Sequence, residues 1–132
     1  MKGLRLYKIE KLCSEIAIGQ LFDRANPGVK SSLAYPLRAS WRVNGKRSAS
    51  CPQFLISIPK KRLRHAVDRV TMRRRVREAY RLHRHLFPSD VPVDIAFIYV
   101  ASEVLPYSRV EIAVGRLLER IGRDLTSPDA DR

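Results

Sequence analysis

Acids are scarce in this chain of 132 residues: 13 Asp and Glu stand against 26 Lys and Arg, for a net charge of +13. With a pI near 10.6, that imbalance points to a polyanionic partner, nucleic acid before membrane. Long apolar runs are missing as well. The longest, such as residues 95–101, is strand-sized and falls far short of the ~20 residues that span a bilayer. The N-terminal MKGLRLYKIEK lacks the apolar region of a secretory signal. Cysteine is limited to Cys13 and Cys51, whose spacing suggests neither a disulfide framework nor a metal site, so a reducing, cytoplasmic location is expected. Histidines are few, and His65, His83 and His85 all sit in one basic stretch, while carboxylates are thinly spread. No cluster has the spacing of a metal-dependent active site, so none of these side chains is expected to be catalytic. There is no internal repeat, and the length suits one domain with a real core.

What the chain does have is concentrated between Lys60 and Phe87, where eleven Lys and Arg face only two acids. On a helix at about 100° per residue, Met72, Val76, Ala79, Tyr80, Leu82, His83, Leu86 and Phe87 share an apolar arc. Arg73, Arg74, Arg77, Arg81 and Arg84 gather opposite it. Arg75 falls at the edge of the apolar arc, where its stem can lie along the core and its guanidinium reach water. His83 reads as a packed residue in preference to a ligand. A solvated helix face normally mixes signs at i and i+4, yet Glu78 is the one acid between Met72 and Phe87. Five guanidiniums on one side repel one another unless a polyanion neutralises them. The planar fork of Arg suits phosphate.

The remaining elements read in order. Ser14 can cap a short helix through about Arg24, with Ala17, Ile18, Leu21 and Phe22 at helical spacing. Residues 33–43 alternate as a half-exposed strand, placing Leu37, Ala39, Trp41 and Val43 on one face and Arg38, Ser40 and Arg42 on the other. Asn44-Gly45 is a hairpin signal, so a second strand over 49–58 is expected to pair antiparallel with the first. Asp68 or Thr71 could cap the Arg helix, and Pro88 closes it. Residues 93–101 read as a strand buried on both faces. Ser108 and Glu111 have the spacing of a capping box before a final helix with a core stripe of Val110, Val114, Leu117, Leu118, Ile121 and Leu125. These elements make an α+β sandwich, helices on a small sheet, in one domain over 1–125 with a tail at 126–132.

The run from Ile58 to Arg81 resembles the signature of the bacterial ribonuclease P protein component. Lys60 and Lys61 match its lysine pair, Ala66 its Ala, Arg69 its first Arg, and Arg73 and Arg74 its basic pair. Arg77 with Glu78 and Tyr80 with Arg81 match the two pairs that follow. Val70 and Thr71 stand where the family has Asn and a second Arg. The segment from Lys11 to Phe22 resembles the family's first helix, with Ile18 in place of an aromatic.

The resemblance implies an α-β-β-β-α-β-α order with a left-handed crossover between parallel strands. A third strand is then expected near residues 26–36. It also implies a subunit that binds the catalytic RNA and the 5′ leader of precursor tRNA, promoting removal of the leader. Magnesium would enter through the RNA subunit with no cofactor on the protein, and one protein would join each RNA. The expected RNA contacts are Lys60, Lys61, Arg62, Arg64, Arg69, Arg73, Arg74, Arg77, Arg81 and Arg84. Phe22, Arg38 and Arg42 are expected in a leader cleft between the first helix and the exposed sheet face. Two rivals share the basic helix: a structural RNA-binding protein of ribosomal type, and a DNA-binding regulator. The second lacks Asn or Gln on the Arg face to read adenine, so neither DNA nor membrane is expected as a partner.

Overall fold

The computed structural model describes residues 18, 19, 21, 22, 28–44, 51–86 and 91–126. Four strands and two helices follow in order: β1 (Lys30–Ala34), β2 (Leu37–Val43), β3 (Gln53–Ser57), α1 (Ala66–His83), β4 (Val93–Tyr99) and α2 (Tyr107–Thr126). A 3-10 turn, Arg84–Leu86, continues α1. The sheet order is β1-β2-β4-β3, antiparallel except for the parallel β3–β4 pair.

This order follows from β4, the most apolar strand, all seven of whose residues are buried. A strand buried on both faces needs a neighbour on each edge and cover on both sides. It therefore takes an interior place between β2 and β3. Leu37, Ala39 and Trp41 of β2, Phe54 of β3, and Val93, Ile95, Phe97 and Tyr99 of β4 point to one face and join the buried sides of α1 and α2 in one core. Tyr80 of α1 stacks on Phe54 with centroids 3.9 Å apart and meets Phe97 edge-on at 6.0 Å. The other face carries Arg38, Ser40 and Arg42 opposite Ile98, Ala96 and Asp94. Leu21 packs there on Ala96, with Ile18 and Leu55 beside it.

The final helix holds the edge of the sheet as well as its centre. Its stripe of Val110, Val114, Leu117, Leu118 and Ile121 is fully buried, with Leu125 packed beside it. Arg120 Nη1 donates to Ser32 Oγ and to the Leu33 carbonyl, each at 2.7 Å. Asp124 accepts from Trp41 Nε1 at 2.9 Å and pairs with Lys30. The contacts with Lys30, Ser32 and Leu33 reach polar groups of the edge strand β1, which has a ladder partner on only one side, and that with Trp41 reaches β2.

Several expectations are corrected. Residues 33–43 are not one strand, because the chain turns at Tyr35–Pro36, a cis peptide, and β1 pairs back on β2. Pro36 has no N–H to offer a ladder. The strand expected near 26–36 is β1. Nor do β2 and β3 pair, since β4 lies between them. Asn44 serves β4 instead: its N–H donates to Pro92 O at 2.7 Å and its Nδ2 to Asp94 Oδ2 at 3.0 Å. Gly45 lies outside the described residues, and Val43 is half exposed.

Caps are corrected too. Helix α1 starts at Ala66 after His65, which gives no side-chain cap. Asp68 and Thr71 lie inside it, and Thr71 Oγ1 donates to Val67 O at 3.0 Å. Helix α2 starts at Tyr107, so Ser108 is already helical, and Glu111 turns toward α1. Thr126 belongs to that helix and not to a tail. Of the expected 14–24 helix, Ile18, Gly19 and Leu21 are helical. Its other positions, except Phe22 at the turn, fall outside the described residues, as do Phe87, Pro88 and 127–132.

Candidate nucleic-acid interface

The helix that carries the Arg row is fixed by what it buries. Met72, Val76, Ala79 and Tyr80, at i, i+4, i+7 and i+8, are at most 1% exposed. That fixes the rotation of α1, and the opposite side must face solvent. Arg73, Arg74 and Arg77 are exposed there. Their guanidiniums make no side-chain hydrogen bond or ion pair among the described residues, so their donors remain available.

Other arginines of the stretch are engaged within the protein. Arg81 pairs with Glu78, and that bond holds the Glu78 carboxyl below its usual range. Arg75 donates to the carbonyl of Leu105 and lies 3.7 Å from Met72 Sδ. Although half-buried and still partly solvated, it ties α1 to the segment entering α2. Arg69 Nη1 donates to Leu63 O and Arg64 O, both at 2.9 Å. Arg84 is half-buried.

Before α1 the chain makes a tight turn, in which Arg62 N and Leu63 N donate to Pro59 O at 3.0 and 3.3 Å. Leu63 is buried and anchors this turn, leaving Lys60, Lys61 and Arg64 exposed and Arg62 half-buried. The turn leads directly into α1, so its cations immediately precede the helix that carries the Arg row.

The second group of expected residues lies on the sheet face away from α1. Phe22, directly after the residue that packs on Ala96, is 46% exposed. It is not a core residue. Arg38 is exposed and Arg42 half-buried, and they flank Ser40, whose β4 partner is Ala96. Sequence reasoning missed Leu33, which is 58% exposed and pairs with Arg38 across the β1–β2 ladder. The only signal for it was a turn at Tyr35–Pro36, which the stronger Asn44-Gly45 signal obscured.

At the C-terminal end of α1, half-buried His83 places Nε2 3.3 Å from Glu111 Oε2, which also accepts from Tyr107 Oη at 3.3 Å. His83 packs between the helices as part of a polar contact. Among the described residues no three His, Cys, Asp or Glu side chains are grouped to hold a metal ion. No described helix is long and apolar enough to cross a membrane.

Comparison with known proteins bears on the family and the fold. The ribonuclease P family model matches residues 18–122. The ribonuclease P protein components of two Porphyromonas gingivalis strains are 35% and 34% identical over 127 residues, spanning 92% of this chain and 90% of each relative. The RNase P protein from Thermotoga maritima superposes with a TM-score of 0.67 at 22% identity, over 84% of this chain and 96% of that one. The Staphylococcus aureus RNase P protein gives 0.68 at 15% identity, over 85% and 94%. With a family match across most of its length and relatives above one-third identity, the chain belongs to the ribonuclease P protein family, as a protein component of that ribonucleoprotein endonuclease.

Proposed function

We propose that this protein binds the ribonuclease P RNA through the outer side of α1 and the turn before it, and receives the 5′ leader of precursor tRNA on the opposite sheet face. The observation that carries this reading is the row of Arg73, Arg74 and Arg77, exposed and without partners among the described residues, with Lys60, Lys61 and Arg64 exposed in the turn before the helix. Such a row neutralises phosphates and releases their counterions. Contacts of this kind position RNA without reading its bases. Phe22, Arg38 and Arg42 supply an exposed ring and two guanidiniums for a single strand, by stacking and backbone contact.

Hydrolysis then belongs to the RNA subunit and its magnesium ions, with the protein inert on its own. One protein would serve each RNA in the cytoplasm. The test is cleavage of precursor tRNA at low magnesium by the RNA subunit, with and without the purified protein. The expected result is no cleavage by protein alone and restored cleavage by the pair. Cleavage by RNase-free protein without RNA overturns the reading. RNA binding with no effect on cleavage would leave a structural RNA-binding protein in its place.

A further inference from the structure

Arg69 differs from its neighbours in what its guanidinium does. It is half-buried, and one nitrogen, Nη1, donates to two successive carbonyls, Leu63 O and Arg64 O, at 2.9 Å each. Both carbonyls lie in the irregular link between β3 and α1, where Arg69 supplies donors that no ladder or helix does. Bonds from a charged donor are the stronger kind. The two bonds fix the peptide planes on either side of Arg64. The link has two further restraints, both before Arg64: Leu63, whose side chain is buried, and the turn closed by Arg62 N and Leu63 N on Pro59 O. Since His65 gives α1 no side-chain cap, Arg69 is the side chain on the helix that holds its first turn to the basic link.

We propose that Arg69 is a positioning residue: it holds the Lys60–Arg64 turn so that its cations line up with the Arg row of α1, and does not itself contact phosphate. This rests on the RNA-binding reading above. In the free protein Arg69 would keep the turn in its binding shape, and a turn in that shape about one-tenth of the time lowers affinity about tenfold. The loss would be shared with the lysines, since they act through the geometry that Arg69 maintains.

Two measurements on the full chain test this. In the free protein, hydrogen exchange at the Arg62 and Leu63 amides should speed up about tenfold or more in Arg69→Gln, while β4 amides stay protected. In complex with a ribonuclease P RNA, Arg69→Gln should weaken binding about tenfold, and Lys60→Gln with Lys61→Gln should cost much less in that background than in the wild type. Unchanged exchange at Arg62 and Leu63 overturns the proposal. So do fully additive losses with a salt slope reduced by a single contact, roughly 0.7–0.9, which would make Arg69 a phosphate ligand. If wild-type protein fails to bind the RNA, the function reading falls, while the exchange result still decides whether Arg69 holds the turn. Should Arg69→Gln fail to fold, Arg69→Lys keeps the charge but is shorter and lacks the planar guanidinium that sets Nη1 between the two carbonyls. Faster exchange and weaker binding despite the retained charge are then expected, and wild-type values for both overturn the proposal.

Discussion

Arg74 and Arg75 are neighbours of identical chemistry, and α1 gives them opposite work. Arg74 stands in the exposed row with Arg73 and Arg77, whereas Arg75 donates to Leu105 O from the half-buried edge. Replacing Arg73, Arg74 and Arg77 together by Gln removes three donors to phosphate. At roughly 0.7–0.9 log units of salt slope per contact, the plot of log affinity for the RNA against log salt should flatten by about 2–3. Wild-type and variant curves should be far apart at 50 mM salt and converge near 1 M. The melting temperature should hold, because these side chains touch nothing in the core. Arg75→Gln should do the reverse. A hydrogen bond from a charged group contributes roughly 1.5–3 kcal/mol, and the lower end applies here because the guanidinium is still partly solvated. The variant should melt several degrees lower and keep the wild-type salt slope. Fluorescence titrations at five salt concentrations, with thermal melts beside them, measure both quantities. An unchanged slope in the triple variant, or a flattened slope with unchanged melting in Arg75→Gln, refutes this division of roles.

Phe22→Ala should leave the melting temperature nearly unchanged, since the ring is 46% exposed and the roughly 3–5 kcal/mol lost at a buried Phe does not apply. Precursor tRNA should bind the assembled enzyme about tenfold or more weakly, from a stacking loss of roughly 1–3 kcal/mol, with mature tRNA almost unaffected; equal losses for both would remove Phe22 from the leader surface. Burial pushes the Tyr99 phenol up to about 12, so the folded state keeps a proton that the unfolded chain releases near pH 10. The resulting stability is full below pH 10 and lost as pH rises toward 12. Melts across pH 9–12 should therefore fall less steeply for Tyr99→Phe than for wild type, and parallel curves would exclude Tyr99 as the titrating group.

Much of the helical layer was legible because periodicity is a local property. The buried set Met72, Val76, Ala79 and Tyr80 and the α2 stripe from Val110 to Ile121 are where a 3.6-residue period puts them. The hairpin reading failed for a reason of the same kind. Asn44-Gly45 is a strong local signal, but strand partners are chosen by the whole sheet. Here β4, buried on both faces, claims the edge of β2 that a 44–45 hairpin would have given to β3. Asn44 is then needed at the start of β4, where the buried Asp94 carboxylate requires a donor. Helix starts were misread similarly: Ser108 and Glu111 have capping spacing, but the proximity of His83 and Tyr107 gives Glu111 other partners.

The site was legible as a composition and less so as a division of roles. From the sequence, Arg69, Arg73, Arg74, Arg77 and Arg81 form one set of RNA contacts. In the fold they separate according to the acceptors within reach. Arg81 finds Glu78 three residues earlier, a partner that spacing reveals. Arg69 finds carbonyls five and six residues earlier, which become acceptors because the link there is irregular. Arg75 finds one 30 residues later, which no local pattern could supply. An arginine-rich helix thus contains both exposed side chains and fasteners, and burial alone does not sort them, because a guanidinium can be half exposed and still be occupied. The sheet sorts the larger surfaces in the same way: β4 carries α1 on one face and the Leu21 contact on the other. The Arg row and the Phe22 surface therefore rest on opposite sides of one buried strand. Substitutions at one leave the packing of the other intact, so affinity for the RNA and preference for a leader are separable properties on the proposed reading.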